Sequence, residues 1–555
     1  MDHKLSSPAP EQSLPELFTS RSTGILALLV GLLLGVSLYA DFSVAFWGDQ
    51  DWELLVSGMW LDGKKLYVDH VPVTPPLLFY LYGLPVLLSR HFLFLQDYQI
   101  LVLLILVLVV SVIILCAHMM AQHPGFSTPS RKMQWVLLLC FLLMIRMRPP
   151  FVGDREHIFI ITTLPYLLSW MPSLSPAHFS LRRRLLIGSL AAIGFFIKPQ
   201  CMVLFVGIQI VHIFYTRSPR ILRSPENIAI YVLGILYAAI VCLFTPEYLT
   251  VVLPIAYYTY SAIQDVHIEF ISVFLNVFFT FAMFRFGSSS VYRKDIYYFL
   301  SLIPFLLLYV HINSGWRYTY QPFITVLLLV CGFVLWEFLD RNPGWTRTGW
   351  KPLLGVILCM MNFGLEAATE SHYAEQVYSY PCRGTRECPG YYQSFLDVVR
   401  EQHARSFGAM GMNFSAWTRV SKLSGASWVT RFPQFWMLPV FITAGRDFAE
   451  QHKGIFYYTA YAMAEDLEKN KPDIVFVELS QSLYTIPLGK TLNWVDVMNA
   501  IPAFTQAWQH YTLLKTIDKC TSLSPAIAAT YPPPTGPGLK TVEYNCAFQV
   551  YKRIP

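Results

Sequence analysis

Hydrophobic positions in this chain come mostly in long unbroken runs, not at the spacing of an amphipathic surface helix or the alternation of a half-buried strand. Runs that reach or approach the roughly 20 residues needed to cross a hydrocarbon core lie at 24 to 41, 97 to 119, 133 to 147, 157 to 172, 185 to 198, 200 to 216, 227 to 245, 267 to 284, 296 to 311, 320 to 338 and 352 to 367. They predict an α-helical polytopic membrane protein with about eleven transmembrane helices. From about Thr369 the pattern changes to that of a water-facing domain. There KPDIVFVEL (471 to 479) reads as a buried strand, and ESHYAEQVYSY and YQSFLDVVREQH read as helices, so an α/β layer is expected. The expected division is a tail over 1–22, a transmembrane domain over 23–368 and a soluble domain over 369–555.

Composition agrees with this reading. Of 555 residues, 54% are hydrophobic and 14% charged, with a mean hydropathy of +0.44. That is too apolar for a soluble chain of this length. The net charge of +6 would suit a nucleic-acid partner if the cations formed a patch. They lie instead in short connections between apolar runs, where they set topology, and no nucleic-acid partner is expected. The first run, Gly24 to Ala40, lacks a small-residue cleavage site and is expected to be a retained helix.

When alternate connections are assigned to one side, the basic residues separate. Lys4 and Arg21, Arg131 and Lys132, Arg182 to Arg184, Arg217, Arg220 and Arg223, Arg285, Arg293 and Lys294, and Arg341, Arg347 and Lys351 all fall together. The positive-inside rule makes that side cytoplasmic. The expected protein is a multi-pass protein of the cell inner (cytoplasmic) membrane, with its N-terminus inside and its C-terminal domain extracytoplasmic or periplasmic. Six cysteines lie in apolar runs, where a small buried hydrophobe suffices. Cys382, Cys388, Cys520 and Cys546 fall in the C-terminal region and suit two disulfides in an oxidising space. No CxxC pair is present and no metal or other cofactor is indicated.

Chemistry concentrates in the opposite connections. The first, Asp41 to about Gln96, carries Asp49, Asp51 and Glu53, then an expected amphipathic helix, a turn at Gly63, Tyr67, Asp69 and a helix start at Pro75-Pro76. The second, RMRPPFVGDREH, places Asp154, Glu156 and His157 among Arg146, Arg148 and Arg155. Lys198 follows an apolar stretch in GFFIKPQ, and Arg317 stands beside Tyr318 and Tyr320. Taken singly, these are explained as solvated loop acids, a local salt-bridge cluster, a snorkelling lysine and an anchored aromatic belt. In SAWTRVSKLSGASWVTRFPQFW, Arg419, Arg431 and Trp436 are placed either to hold an acceptor or to pack a surface, and Asn413 heads a glycosylation sequon. The convergence of acids and isolated cations on one face suits a reaction on a phosphate-bearing lipid. A carboxylate would activate a hydroxyl nucleophile while cations held the departing phosphate.

These residues resemble the GT-C superfamily of membrane glycosyltransferases, such as lipid A aminoarabinose transferases and protein O-mannosyltransferases (family 39-like). The likeness runs from about residue 24 to 340. It rests on Asp49, Trp52, Gly63, Tyr67, Asp69 and Pro75-Pro76 in the first loop, Asp154 or Glu156 in the second, Lys198 within AAIGFFIKPQ, and Arg317 to Pro322. Two departures stand out: the family's Asp-Glu pair is Asp49-Gln50-Asp51 here, and Thr74 occupies a position where a Lys is common. The resemblance implies an inverting transferase that moves a sugar from a polyprenyl-phosphate donor to a hydroxyl of a lipid, glycan or protein acceptor beside membrane lipid. It implies Asp49 or Asp51 as base, with Asp49 favoured on its spacing to Tyr67, and Asp154 or Glu156 orienting substrate. Lys198, Arg317 and Arg155 would bind the donor phosphate, and Trp52, Tyr67, Asp69, His157 and Tyr318 would contact substrate. The rival expectations are a secondary transporter and a non-catalytic envelope assembly protein, although no internal repeat supports the former.

Overall fold

The computed structural model describes residues 28, 31–32, 34–35, 49–92, 94–145, 152–174, 179–262, 292–312, 317–341, 393–411, 415–438, 450–479, 493–517 and 548–554. The chain is mostly helical, with a small sheet. The apolar runs at 267 to 284 and 352 to 367, the four C-terminal cysteines and Asn413 lie outside the described residues.

The helices follow the apolar runs. After α1 (Asp49–Leu61) and α2 (Pro76–His91) come α3 (Asp97–Met120), α4 (Pro129–Cys140), α5 (Arg155–Ser169), α6 (Leu181–Ile197), α7 (Met202–Thr216), α8 (Pro225–Phe244), α9 (Leu253–Ala262), α10 (Arg293–Ile312) and α11 (Gln321–Arg341). Among the described residues four helical segments are long and apolar enough to cross a membrane: Asp97–Met120, Pro199–Thr216, Pro225–Phe244 and Arg293–Ile312. Their outward positions, among them Val107, Ile114, Val206, Ile235 and Leu243, are exposed apolar side chains, as lipid-facing surfaces require.

Helix starts are written locally. Ser180, Ser224 and Thr128 accept hydrogen bonds from the backbone N–H three residues on, which satisfies donors a new helix leaves open. Close packing inside the bundle is set by Gly188, where a Cβ would fall 2.2 Å from the Glu226 carbonyl oxygen. There α6 lies against α8, and Arg184 grips Glu226 with two donors at 2.7 and 2.8 Å. Two sets of polar groups in the bundle meet their own kind, as the cost of an unmatched one in hydrocarbon favours. Tyr166, Asn227 and Gln209 bond in a ring, and His123 Nε2 lies 2.8 Å from Asp295.

The remaining segments build a five-stranded sheet in the order β2-β1-β3-β5-β4. β1 (Ser406–Met410) runs parallel to β2 (Ser427–Trp428) and β3 (Ile474–Glu478); β5 (Phe548–Arg553) is antiparallel to β3 and β4 (Tyr511–Ile517). KPDIVFVEL supplies β3, every residue of which is buried, as a central strand covered on both faces must be. α12 (Gln393–Glu401), α13 (Ser415–Ser424), α14 (Lys453–Asn470), α15 (Trp494–Met498) and α16 (Pro502–Trp508) also belong to this part. The expected helix over YQSFLDVVREQH is therefore present, and ESHYAEQVYSY lies outside the described residues.

The sheet part is fastened to the first long loop. Leu55 and Met59 of α1 pack against the core that Phe395, Trp417 and Phe476 form. Val71 N donates to the Arg431 carbonyl at 2.8 Å, and Trp436 Nε1 donates to the Val71 carbonyl at 3.4 Å.

Candidate functional site

The loop from Asp49 to Pro76 folds back on itself, and each bend has a local cause. Asp49 and Asp51 occupy the first turn of α1, where carboxylates oppose the positive end of the helix dipole. The helix ends at Leu61, and the chain turns at Gly63, whose φ of +90° is left-handed and suits the residue without a Cβ. The Asp69 carboxylate then accepts from Lys65 N at 2.8 Å and closes a turn. Tyr67 sits within that turn at a φ of 65°, an unusual backbone for a bulky side chain. It is held there because its N–H donates to the His70 carbonyl and its phenol to the Thr74 carbonyl, both at 2.6 Å. Pro76 opens α2 directly afterwards.

This folding lays Thr74 beside α1. Thr74 Oγ1 donates to Glu53 Oε1 at 2.9 Å and accepts from Arg155 Nη1 at 3.1 Å. The other prong of the same guanidinium, Nη2, reaches Asp49 Oδ2 at 2.6 Å. Asp154 caps α5 by accepting from Arg155 N, which fixes the arginine's starting point. Asp49 and Glu53 stand four residues apart, on one face of α1. The result is a connected set, Glu53, Thr74, Arg155, Asp49 and Asp154, drawn from two loops far apart in sequence.

Its electrostatics are uneven. Asp49 keeps 35% of its side chain exposed. Asp51, at 10%, is turned away toward the sheet part and pairs with Lys422 Nζ at 2.9 Å. Glu53 is fully buried. Burial pushes its carboxyl from the usual 4.5 up to about 8; Arg155 opposes the rise and Asp49 adds to it. Its Oε2 has no hydrogen-bond partner among the described residues.

A second buried pair adjoins the first through the backbone. Glu156 Oε1 accepts from Lys198 Nζ at 2.6 Å and from the Tyr309 hydroxyl at 3.2 Å. Lys198 stands at the extended break between α6 and the 3-10 turn Pro199–Cys201, with its ammonium 5.7 Å from the Tyr309 ring centre.

Of the residues expected in the site, the structure brings Asp49, Asp154, Arg155, Glu156 and Lys198 together in these two adjoining networks. Other expected substrate contacts have internal duties. Trp52 and Tyr67 are buried around Phe79, with ring centres 6.1 and 6.4 Å away, and Asp69 closes its own turn. His157 accepts from Gly153 N at one ring nitrogen and sits 2.8 Å from the Leu143 carbonyl with the other, so its ring is fixed by backbone on both edges. Arg317 and Tyr318 open the 3-10 turn Arg317–Tyr320; their side chains lie outside what is described. Arg431 holds Asp466 and Glu465 and acts as a strut within the sheet part.

Of the three cations expected to grip a donor phosphate, Arg155 and Lys198 each hold a carboxylate, and the Arg317 side chain lies outside what is described. A phosphate would have to exchange with Asp49 or Glu156. Sequence reasoning missed Glu53 as a site member, along with Thr74 and Tyr309. The one available signal was the four-residue spacing from Asp49 to Glu53. Among the described residues no group of three or more His, Cys, Asp and Glu side chains is placed to hold a metal ion.

Comparison with known proteins adds no relative: no family model matches the chain, and no curated protein matches it either. The functional reading therefore rests on the site itself.

Proposed function

We propose that this chain is an inverting membrane glycosyltransferase that moves a sugar from a polyprenyl-phosphate donor to a hydroxyl of a lipid, glycan or protein acceptor. In this reading the chain crosses the cytoplasmic membrane about eleven times. The loop of α1 and α2 and the sheet part lie on its extracytoplasmic face. The observation that carries the reading is the singular position of Asp49. It is the one carboxylate of the Asp49, Asp51, Glu53 trio that combines solvent access with a contact to Arg155.

Asp49 takes the proton of the acceptor hydroxyl as that oxygen bonds to the anomeric carbon. The bond from that carbon to the phosphate oxygen breaks on the opposite face, its electron pair leaves with the polyprenyl phosphate, and configuration inverts. A general base of this kind contributes roughly 10² to 10⁴ in rate. Arg155, held by Thr74 through one prong, keeps Asp49 aligned with the other. When the donor arrives, its second prong can pass to the phosphate, which frees the Asp49 carboxylate to act as base. Such a two-pronged cation suits phosphate as well as carboxylate.

The test is transfer of radiolabel from a panel of polyprenyl-phosphate sugars to endogenous acceptors, in membranes with and without the protein. A product that depends on the protein and on one donor supports the reading. Absence of any such product with every donor, although the protein is folded and abundant, removes it.

A further inference from the structure

The sheet part has a surface that the transfer reaction does not use. Helix α14 (Lys453–Asn470) buries one side, Ile455, Thr459, Ala460, Met463 and Leu467. That side joins a cluster containing Val241 from α8, Tyr248 and Val252 from the π turn Tyr248–Val252 that follows it, and Ile255 from α9. Its start is tied to the same segment, since the rings of His452 and Tyr258 lie 4.4 Å apart. The start of α14 therefore meets α9 at Tyr258, and its buried side shares one apolar cluster with the end of α8.

Its outward side is aromatic at that end and charged at the other. Tyr457 and Tyr461, one turn apart, are 43% and 54% exposed. Farther along, Glu465, Glu468 and Lys469 are exposed, and Glu465 is paired with Arg431. Tyr257 on α9 is 70% exposed. Exposed Leu243, Phe244, Leu249 and Leu253 lead up to it along the chain from α8. Exposed apolar side chains of the bundle thus lead, with Glu247 and Thr250 among them, to the exposed Tyr257, and exposed tyrosines recur on α14, whose start meets Tyr258 of α9. Tyrosine is enriched where hydrocarbon gives way to headgroups, since its ring is apolar and its hydroxyl wet.

We propose that the Tyr457 and Tyr461 face of α14 rests in the headgroup layer of the membrane, so that the sheet part lies on the lipid surface as well as on the α1 loop. The partner is a phospholipid surface. Lys453, exposed at the bundle end of the same face, is paired with Glu450 at 3.1 Å and so adds no net charge at headgroup level, while the acid Glu468, unpaired among the described residues, lies toward the far end of the helix. This inference needs only that the bundle spans a membrane and is independent of sugar transfer.

The experiment uses the full chain in nanodiscs of phosphatidylethanolamine and phosphatidylglycerol that include a tritiated phospholipid. A p-benzoylphenylalanine replaces Tyr457, Tyr461 or, as control, Glu468. After illumination, label is expected on the protein at 457 and 461, at least about fivefold above that at 468. Equal label at all three positions overturns the inference, as does cross-linking at 457 and 461 to a second copy of the chain in place of lipid. As a check that needs no substitution, hydroxyl-radical oxidation of the wild-type protein in nanodiscs should spare Tyr457 and Tyr461 relative to the half-buried Tyr551. Ready oxidation of both also overturns it.

Discussion

Arg155 Nη2 donates to Asp49 Oδ2 at 2.6 Å, joining the start of α1 to the start of α5 across 106 positions of sequence. The same guanidinium is held by Thr74 through its other prong, so its direction is fixed from two sides. Arg155→Met leaves Asp49 without its cation and Thr74 without one of its donors. Breaking one member of a buried pair costs roughly 3–5 kcal/mol; because Asp49 is about a third exposed, the lower end is expected here. Thermal unfolding in detergent should show a clear drop for Arg155→Met. A smaller drop is expected for Arg155→Lys, which keeps the charge and loses the fork. Equal stability of all three proteins would remove Arg155 as the fastener of the two loops.

Glu53 gives a pH dependence with a definite sign. Its folded pKa of about 8 lies above the ordinary 4.5, so the folded chain holds more protons than the unfolded one between those values. Stability contributed at this position is therefore full below about pH 4.5 and falls as pH rises toward 8. Glu53→Gln keeps the shape and cannot ionise. Its unfolding midpoint relative to wild type should rise from pH 5 to pH 8.5. A difference that stays constant over that range would show that Glu53 is not buried as a neutral acid.

His70 acts in the opposite sense. Burial lowers its pKa from 6.5 to about 4; Asp69 opposes that fall, while Lys64 and Arg431 add to it. The unfolded chain binds the proton first, so stability is lost as pH drops from about 6.5 to 4. His70→Gln should flatten the wild-type loss of midpoint on that acid side, and an unchanged acid limb would contradict the assignment.

Lys422 is the clasp between the sheet part and the loop, with Asp51 at 2.9 Å and Asp97 at 3.2 Å. Burial alone would lower its pKa, but the two carboxylates hold it above the usual lysine value. In a double-mutant cycle, Lys422→Met and Asp51→Asn should each destabilise, and the pair together should cost less than their sum by about 1 kcal/mol or more. Additive effects would mean that the contact carries no coupling. Limited proteolysis of the segments around α13 should speed up in Lys422→Met if the clasp holds the two parts together.

Much of this architecture was legible in sequence because lipid imposes a simple rule: long apolar runs become helices. The runs at 97 to 119, 227 to 245 and 296 to 311 correspond to Asp97–Met120, Pro225–Phe244 and Arg293–Ile312. KPDIVFVEL was readable as a strand because a central strand covered on both faces carries an unbroken apolar run, here Ile474 to Val477. The helix of the first loop, the turn at Gly63 and the helix start at Pro76 were also readable, since Gly and Pro mark the backbone directly. Partner choice within the site was not. Whether Asp51 faces Arg155 or Lys422 depends on where α13 docks, and nothing local to the loop encodes that. Glu53 looked like one more loop acid, and only the return of Thr74 over α1 buries it. Trp52, Tyr67 and His157 carry residue types that suit substrate contact, but packing and backbone bonds claim them first.

The most direct test of the proposed chemistry is transfer from the labelled polyprenyl-phosphate panel by Asp49→Asn in parallel with wild type and Asp51→Asn. Asp49→Asn should retain expression and its elution profile in detergent while transfer falls by roughly 10² or more. Asp51→Asn, which loses the contact to Lys422, should keep most of its turnover at a lowered unfolding temperature. Wild-type transfer by a folded Asp49→Asn protein would contradict the role of Asp49 as base and, with it, the arrangement proposed for the site.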